Sequence, residues 1–213
     1  LSKRLQVCCG FVAPGDRVAD IGCDHGYLGI WLLKNGIVPS VIASDLREGP
    51  LQSALRNSEK FGVRDKMTFY LSDGVRSIPR DFDTLVCAGM GGETMVAILS
   101  AAPWLQSEKY RLILQCQTRN HLLRRYLSDT GWRIAREQVL KDGKFLYTVL
   151  EAVWQPGQAL TPGACYFPPA LDGEVSAYYG WVVKGLENIV LNRGDEADPF
   201  AVQALKELKR MEL

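Results

Sequence analysis

Most of the residues that could do chemistry stand in turns that end β-rich runs. The first such turn is Asp20-Ile21-Gly22-Cys23-Asp24-His25-Gly26-Tyr27-Leu28. Glycine at both ends of the turn tolerates unusual backbone angles and lets a ligand approach closely. The free N–H groups of a following helix attract an electron-rich edge. The pattern is neither the Gly-x-Gly-x-x-Gly of dinucleotide sites nor the Gly-Lys-Ser/Thr of phosphate loops. Asp20 suits a ligand with an amino group, and Cys23, Asp24 and Gly26 complete the cradle. Asp45 ends the second run beside Leu46, where a carboxylate can accept both hydroxyls of a ribose. Asp73-Gly74 follows the third run, placed to hold an adenine amino group. Taken singly, each has a plainer reading: a strand-turn-helix, a helix cap at Asp45 and a simple turn at Asp73. Together the three carboxylates fit an adenosyl amino acid and repel a diphosphate. The fourth run closes with Cys87-Ala88-Gly89-Met90-Gly91-Gly92-Glu93, whose glycines leave room for cofactor (Ala88, Gly89, Met90) and substrate (Gly91, Gly92). Gln115 and Gln117 end the fifth run, where amides either read a base edge or simply meet water.

The elements that must position these turns alternate regularly. Strands are expected over residues 18–21, 41–44, 67–71, 84–88 and 111–115, separated by helices over 28–35, 51–61, 93–101 and 119–130. Residues 132–140 and 144–153 form a further pair, with Asp142-Gly143 as the hairpin signal. This is the pattern of an α/β protein: an open Rossmann-like sheet of five parallel strands plus an antiparallel pair. A class I methyltransferase domain has that order, as do other open sheets. Residues 155–169 are rich in Pro and Gly and mark a boundary. Helices over 176–191 and 200–211 follow, joined at Asn192–Asp195, and predict a helical hairpin. The expected division is 1–154 for the sheet domain and 155–213 for linker and helical domain. The last helix ends without a cap, so the chain is expected to continue further.

Twenty-five basic and 24 acidic side chains leave a formal net charge of +1. A nucleic-acid partner would therefore need a local basic patch. The composition, 47% hydrophobic and 23% charged, supports a packed core and excludes a disordered chain. Six dispersed cysteines without a C-x-x-C pair read as free thiols in a reducing compartment. No run is long enough to span a bilayer, and the basic-then-apolar start reads as a helix of the fold. The cytoplasm is the expected location. A metal site is not expected, because His25 and His121 lie far apart and no cysteine cluster has ligand spacing.

In order and spacing, DIGCDHGYL, IASD, SDG, CAGMGGETM and LILQ resemble the bacterial tRNA (adenine-N1)-methyltransferases that modify adenosine 22 in the D-arm region. The similarity runs along roughly residues 2–153. It implies an S-adenosylmethionine-dependent domain, a tRNA substrate and a coiled-coil-like C-terminal domain that assists tRNA binding. The family's cofactor motif falls on Asp20, Gly22, Asp24, His25, Tyr27 and Leu28. Its ribose position falls on Asp45, its adenine-side pair on Asp73 and Gly74, and its substrate rim on Gly89 through Gly92. Gly29 stands where the family commonly has proline, and Cys116-Gln117 where it has Pro-Asn or Pro-Gln.

On that resemblance the catalytic candidates are Asp24, His25 and Tyr27. N1 of adenine has an in-plane lone pair, so no strong base is needed, and alignment and a favourable field supply the catalysis. Asp24 would accept the exocyclic amine or favour the cationic ring, His25 would orient Asp24 or touch substrate, and Tyr27 would stack or shape the pocket. The plainer alternatives are a helix cap, a structural histidine and a packed tyrosine. Phosphate contacts are expected from Arg119, Arg124 and Arg125, with Lys3, Arg4, Lys206, Lys209 and Arg210 as further basic candidates. Two rival readings stay open: a non-catalytic module binding S-adenosylmethionine or tRNA, and a small-molecule methyltransferase.

Overall fold

Short apolar runs covered on both faces become parallel strands, and the computed structural model, which describes residues 1–211, gathers them into one mixed sheet. Strands β1 (Val18–Ile21), β2 (Val41–Asp45), β3 (Met67–Leu71), β4 (Thr84–Met90) and β5 (Arg111–Cys116) run parallel. Strands β6 (Trp132–Asp142) and β7 (Phe145–Trp154) form the antiparallel hairpin, with β7 against β5. A short strand, β8 (Leu171–Gly173), pairs parallel to β6, giving the order β3-β2-β1-β4-β5-β7-β6-β8. The order reverses between β1 and β4, and the crevice beyond the carboxyl ends at such a point is where open sheets bind ligands.

Helices α1 (Lys3–Phe11), α2 (Tyr27–Lys34) and α3 (Glu48–Lys60) cover one face, while α4 (Gly92–Ser100) and α5 (Asn120–Asp129) cover the other. Successive strand residues supply opposite layers: Val18, Val86 and Ile113 join the first core, Ala19, Leu85 and Leu112 the second. The C-terminal segment adds α6 (Pro162–Tyr166), α7 (Val175–Arg193) and α8 (Pro199–Leu208). Their own apolar cluster includes Tyr178, Leu186, Ala204 and Val139 from β6.

Three details depart from the expectation. β4 continues through Met90 by way of a bulge at Gly89, where φ is 81°. Within the Pro/Gly-rich stretch, Pro162 opens α6, and the Thr161 hydroxyl accepts the Ala164 N–H at 3.3 Å. β8 is too short to show an alternating pattern and is fixed by its partner strand. Residues 212 and 213, which fall in the expected helical domain, lie outside the described residues.

Candidate active site

The carboxyl ends of β1, β2 and β4, together with one face of α4, line a cavity of about 670 Å³. That volume suits a small-molecule site. Asp20, Asp45 and Asp73 all line it, as do Gly22, Cys23, Leu46 and Gly74. Ala88, Gly89, Met90, Gln115 and Gln117 form the opposite wall.

Asp20 is buried, and its Oδ2 has no hydrogen-bond partner. Burial, then the nearby charge of Asp45, pushes its carboxyl up to about 7. A buried, unpartnered carboxylate oxygen at a cavity wall fits an incoming amino group. Asp45 is tied into the loop: its Oδ2 accepts the Asp24 N–H at 3.2 Å and its Oδ1 the Arg47 N–H at 2.9 Å. It makes no cap bond to α3. Gly22 has φ 72°, and a Cβ there would meet the Met90 Cε at 2.2 Å. The left-handed backbone there favours glycine, and a side chain would also have to push the Met90 methyl aside.

Asp24 stands in the left-handed region, φ 49°, rare for a residue with a side chain. Such strain persists where the surroundings hold it, commonly at functional sites. The surroundings here are backbone bonds: the N–H groups of Gly22 and Cys23 both donate to the Ser44 carbonyl, at 2.8 and 2.9 Å. Asn57 donates to the His25 carbonyl at 3.0 Å. Asp24 does not cap α2, whose N-cap is Gly26. Gly26 is there for packing, since a Cβ would meet Ala54 at 2.9 Å. The Asp24, His25 and Tyr27 side chains all line the cavity and reach solvent. His25 Nε2 lies 3.7 Å from Asp24 Oδ2, and the His25 and Tyr27 rings are 5.8 Å apart.

On the far wall, Gln115 is fully buried and its Oε1 accepts the Gly89 N–H at 3.1 Å, which fixes the bulge. Gln117 donates its backbone N–H to the Met90 carbonyl at 2.9 Å. Asp73 pairs with Arg76 at 3.6 Å.

Five expected substrate residues are placed elsewhere. Gly91 and Gly92 do not line the cavity. They start α4, and a Cβ on Gly92 would sit 2.5 Å from the Arg119 carbonyl oxygen. Arg119 borders a second cavity of about 260 Å³ between the start of α5 and α7 and pairs with Glu93. Arg125 is exposed, pairs with Asp129 at 3.6 Å and covers the Phe200 ring at 4.6 Å. Arg124 requires a correction: it is fully buried, and its guanidinium bonds Glu137, the carbonyls of Cys165 and Tyr166, and the Tyr178 hydroxyl. A side chain with every donor committed inside the protein cannot meet a phosphate. Conversely, Arg4 and Leu5 of α1 line the first cavity. So do Thr94, Ala97, Ile98 and Ala101, whose helical spacing could have signalled one face of α4.

An open sheet in this order, with a row of carboxylates on its carboxyl rim, defines a class I methyltransferase domain, and residues 1–150 match the family model described as a methyltransferase domain. A tRNA (adenine(22)-N(1))-methyltransferase of Bacillus subtilis is 34% identical over 153 residues, 71% of this chain and 64% of that one. The chain thus spans a little under two thirds of that relative. The crystal structure of the B. subtilis M1A22 tRNA methyltransferase covers 98% of this chain and 94% of its own at a TM-score of 0.81 and 28% identity. That of Streptococcus pneumoniae Sp1610 in complex with S-adenosyl-L-methionine covers 98% of both chains at a TM-score of 0.83 and 29% identity. The chain belongs to the tRNA (adenine(22)-N1)-methyltransferase family.

Proposed function

We propose that the protein transfers a methyl group from S-adenosylmethionine to N1 of adenosine 22 in the D-arm region of tRNA. The observation that carries the reading is the unpartnered Asp20 oxygen, buried in a cavity that Asp45 and Asp73 also line. Asp20 would hold the amino group of the cofactor's methionine part, Asp45 the ribose hydroxyls, and Asp73 with Gly74 the adenine edge. When bound, the cofactor supplies an electrophilic methyl group.

The chain's own task is alignment. The target base must leave its stack, which costs a few kcal/mol and least where it is unpaired. Asp24, held at the mouth by the Asp45 bond to its N–H, accepts a hydrogen bond from the exocyclic amine and favours the positive charge that develops on the ring. His25 and Tyr27 border the same entrance and orient that carboxylate and the base. The bulge at Gly89, fixed by Gln115, shapes the wall opposite. No proton leaves before the new bond forms, so the site needs no strong base. Six free, buried cysteines fit a reducing compartment, the cytoplasm. Among the described residues no His, Cys, Asp or Glu cluster is arranged to hold a metal ion, and no helix is long and apolar enough to cross a membrane.

The test is to incubate the protein with S-adenosylmethionine carrying a labelled methyl group and unmodified bacterial tRNA, then map the methylated nucleoside. Label on N1 of adenosine 22, absent when that position is changed, is the expected result. Asp24→Asn should lower turnover at least about tenfold, roughly 1.4 kcal/mol of barrier, with cofactor affinity retained. Unchanged turnover would remove Asp24 from the mechanism.

A further inference from the structure

The rim of the active-site cavity is acidic, yet the proposed substrate is a polyanion. Asp24 and Asp73 are exposed at the opening, with Asp45 buried in the wall behind them, and phosphates cannot run over them without repulsion. Arg47 and Arg76 lie on the side of Asp45 and Asp73, where the adenosine half of the cofactor is placed, and Arg76 is engaged with Asp73. Arg4 is the remaining cation of the lining. Helix α1 lies across β4, β5 and β7, so Arg4 stands on the substrate side.

Arg4 is the inner end of a ladder that leads outward along the β6–β7 hairpin. Antiparallel pairing sets Asp142 opposite Phe145 and Leu140 opposite Tyr147, and the period of two puts all four on the face that meets α1. The Arg4 guanidinium lies over the Tyr147 ring at 5.0 Å and 3.9 Å from Asp142. The Tyr147 and Phe145 rings are 6.3 Å apart, and Lys144 Nζ stands 5.4 Å from the Phe145 centroid. Two adjacent rings thus stand between a cation at the cavity mouth and a cation at the hairpin tip. Phe145 is 56% exposed, a large apolar ring at a two-residue turn. Asp142 is the single acid of the ladder and is loosely paired with Arg4. Cations flanking an exposed ring suit single-stranded RNA: phosphates meet the charges, and an unpaired base stacks on the ring, here Phe145, while the half-buried Tyr147 backs Arg4.

We propose that this hairpin ridge receives the RNA strand flanking the target nucleotide, with Phe145 stacking on an unpaired base and Arg4 and Lys144 taking phosphates. The inference rests on the tRNA reading above. Steady-state methylation of tRNA should show Phe145→Ser raising KM roughly 5- to 150-fold, with kcat at saturating tRNA largely retained and Phe145→Trp restoring the parent value. Lys144→Gln and Arg4→Gln should each flatten the log affinity against log salt plot by about 0.7 to 0.9. Cofactor affinity and melting temperature serve as folding controls, and Phe145→Ser and Lys144→Gln lie at the tip where no core contact depends on them. If the parent protein methylates tRNA while these variants keep its KM and salt slope, the ridge is not an RNA contact and the enzyme assignment stands. A change in self-association by sedimentation, with tRNA binding intact, would make the ridge a protein contact and overturn the proposal equally. A parent protein that neither binds nor methylates tRNA overturns the function and the ridge together.

Discussion

Replacing Arg124 by alanine should nearly unfold the protein, and the structure sets the size of the effect. Two guanidinium nitrogens bond Glu137, at 3.0 and 2.6 Å, and both side chains are completely buried. The other donors reach the Cys165 carbonyl at 2.9 Å, the Tyr166 carbonyl at 3.0 Å and the Tyr178 hydroxyl at 3.0 Å. Burial alone would lower the Arg124 pKa, but the Glu137 charge, then Tyr178, outweighs it and keeps the guanidinium charged. One side chain therefore ties α5 to β6, α6 and α7. Removing one partner of a buried pair costs about 3–5 kcal/mol, because the other charge is stranded. Each acceptor left empty adds a non-additive share of about 1–3 kcal/mol. A loss of at least about 4 kcal/mol follows, a large part of the roughly 5–15 kcal/mol that holds a domain together. In urea, with m near 2 kcal/mol/M, the midpoint should fall by about 2 M. The double variant Arg124→Met, Glu137→Met strands no charge, so it should be more stable than Arg124→Met alone, although the two carbonyls and the hydroxyl stay unpaired. A midpoint for Arg124→Ala within about 0.5 M of the parent, or a double variant weaker than the single, would refute the reasoning.

Asp20 keeps its proton in the folded chain up to about pH 7, whereas the unfolded chain releases it near pH 4. Its contribution to stability is therefore full below about pH 4 and lost as pH rises through 7. Asp20→Asn should remove that slope, raise the melting temperature of the cofactor-free protein at pH 8 and weaken cofactor binding at least about tenfold; melting profiles of parent and variant that stay parallel across pH would contradict this. His121 goes the opposite way: burial, then the charges of Arg124 and Arg119, pushes it down to about 4. Its neutral form supports the fold above about pH 6.5, and that support is lost as pH falls toward 4. His121→Phe, which keeps the stack on Tyr166 at 4.3 Å, should flatten acid destabilisation in that window, as read by melting temperature.

Strands and helices with a clear period were legible in the residues. β1 and β3 fall where alternation and β-branched runs place them, and each amphipathic helix lies within a few residues of its expected span. Asp20, Asp45 and Asp73 could be grouped before any coordinates, because strands of one parallel sheet bring their carboxyl ends to one rim. Elements decided by distant partners were not legible: β8 exists through its pairing with β6, and α6, although Thr161 and Pro162 give it a local start, is held in a Pro/Gly-rich stretch by the Glu207 carboxylate, which accepts the Gly163 N–H at 2.8 Å. Arg124 shows the same limit within one helix. It sits beside Arg125, which suggests a basic surface, yet it shares the buried stripe of Leu123 and Leu127. An arginine in that stripe demands an internal acid, and Glu137 is thirteen residues away in another element. Arg4 lines the cavity only because α1 crosses the far side of the sheet, a packing choice with no local signature.

All six cysteines are free and buried. Burial pushes their thiols up, Cys116 and Cys165 to about 11, so in the native state almost none is thiolate, the form that reacts with electrophiles. For the five thiols away from the active-site cavity, which Cys23 lines, alkylation then proceeds only through opening, and their positions divide the molecule into zones. Cys8 and Cys9 report on α1, Cys87 and Cys116 on the centre of the sheet, and Cys165 on α6. The protein carries its own set of clocks: the order in which these thiols take up label under mild denaturant is the order in which α6, α1 and the sheet come apart.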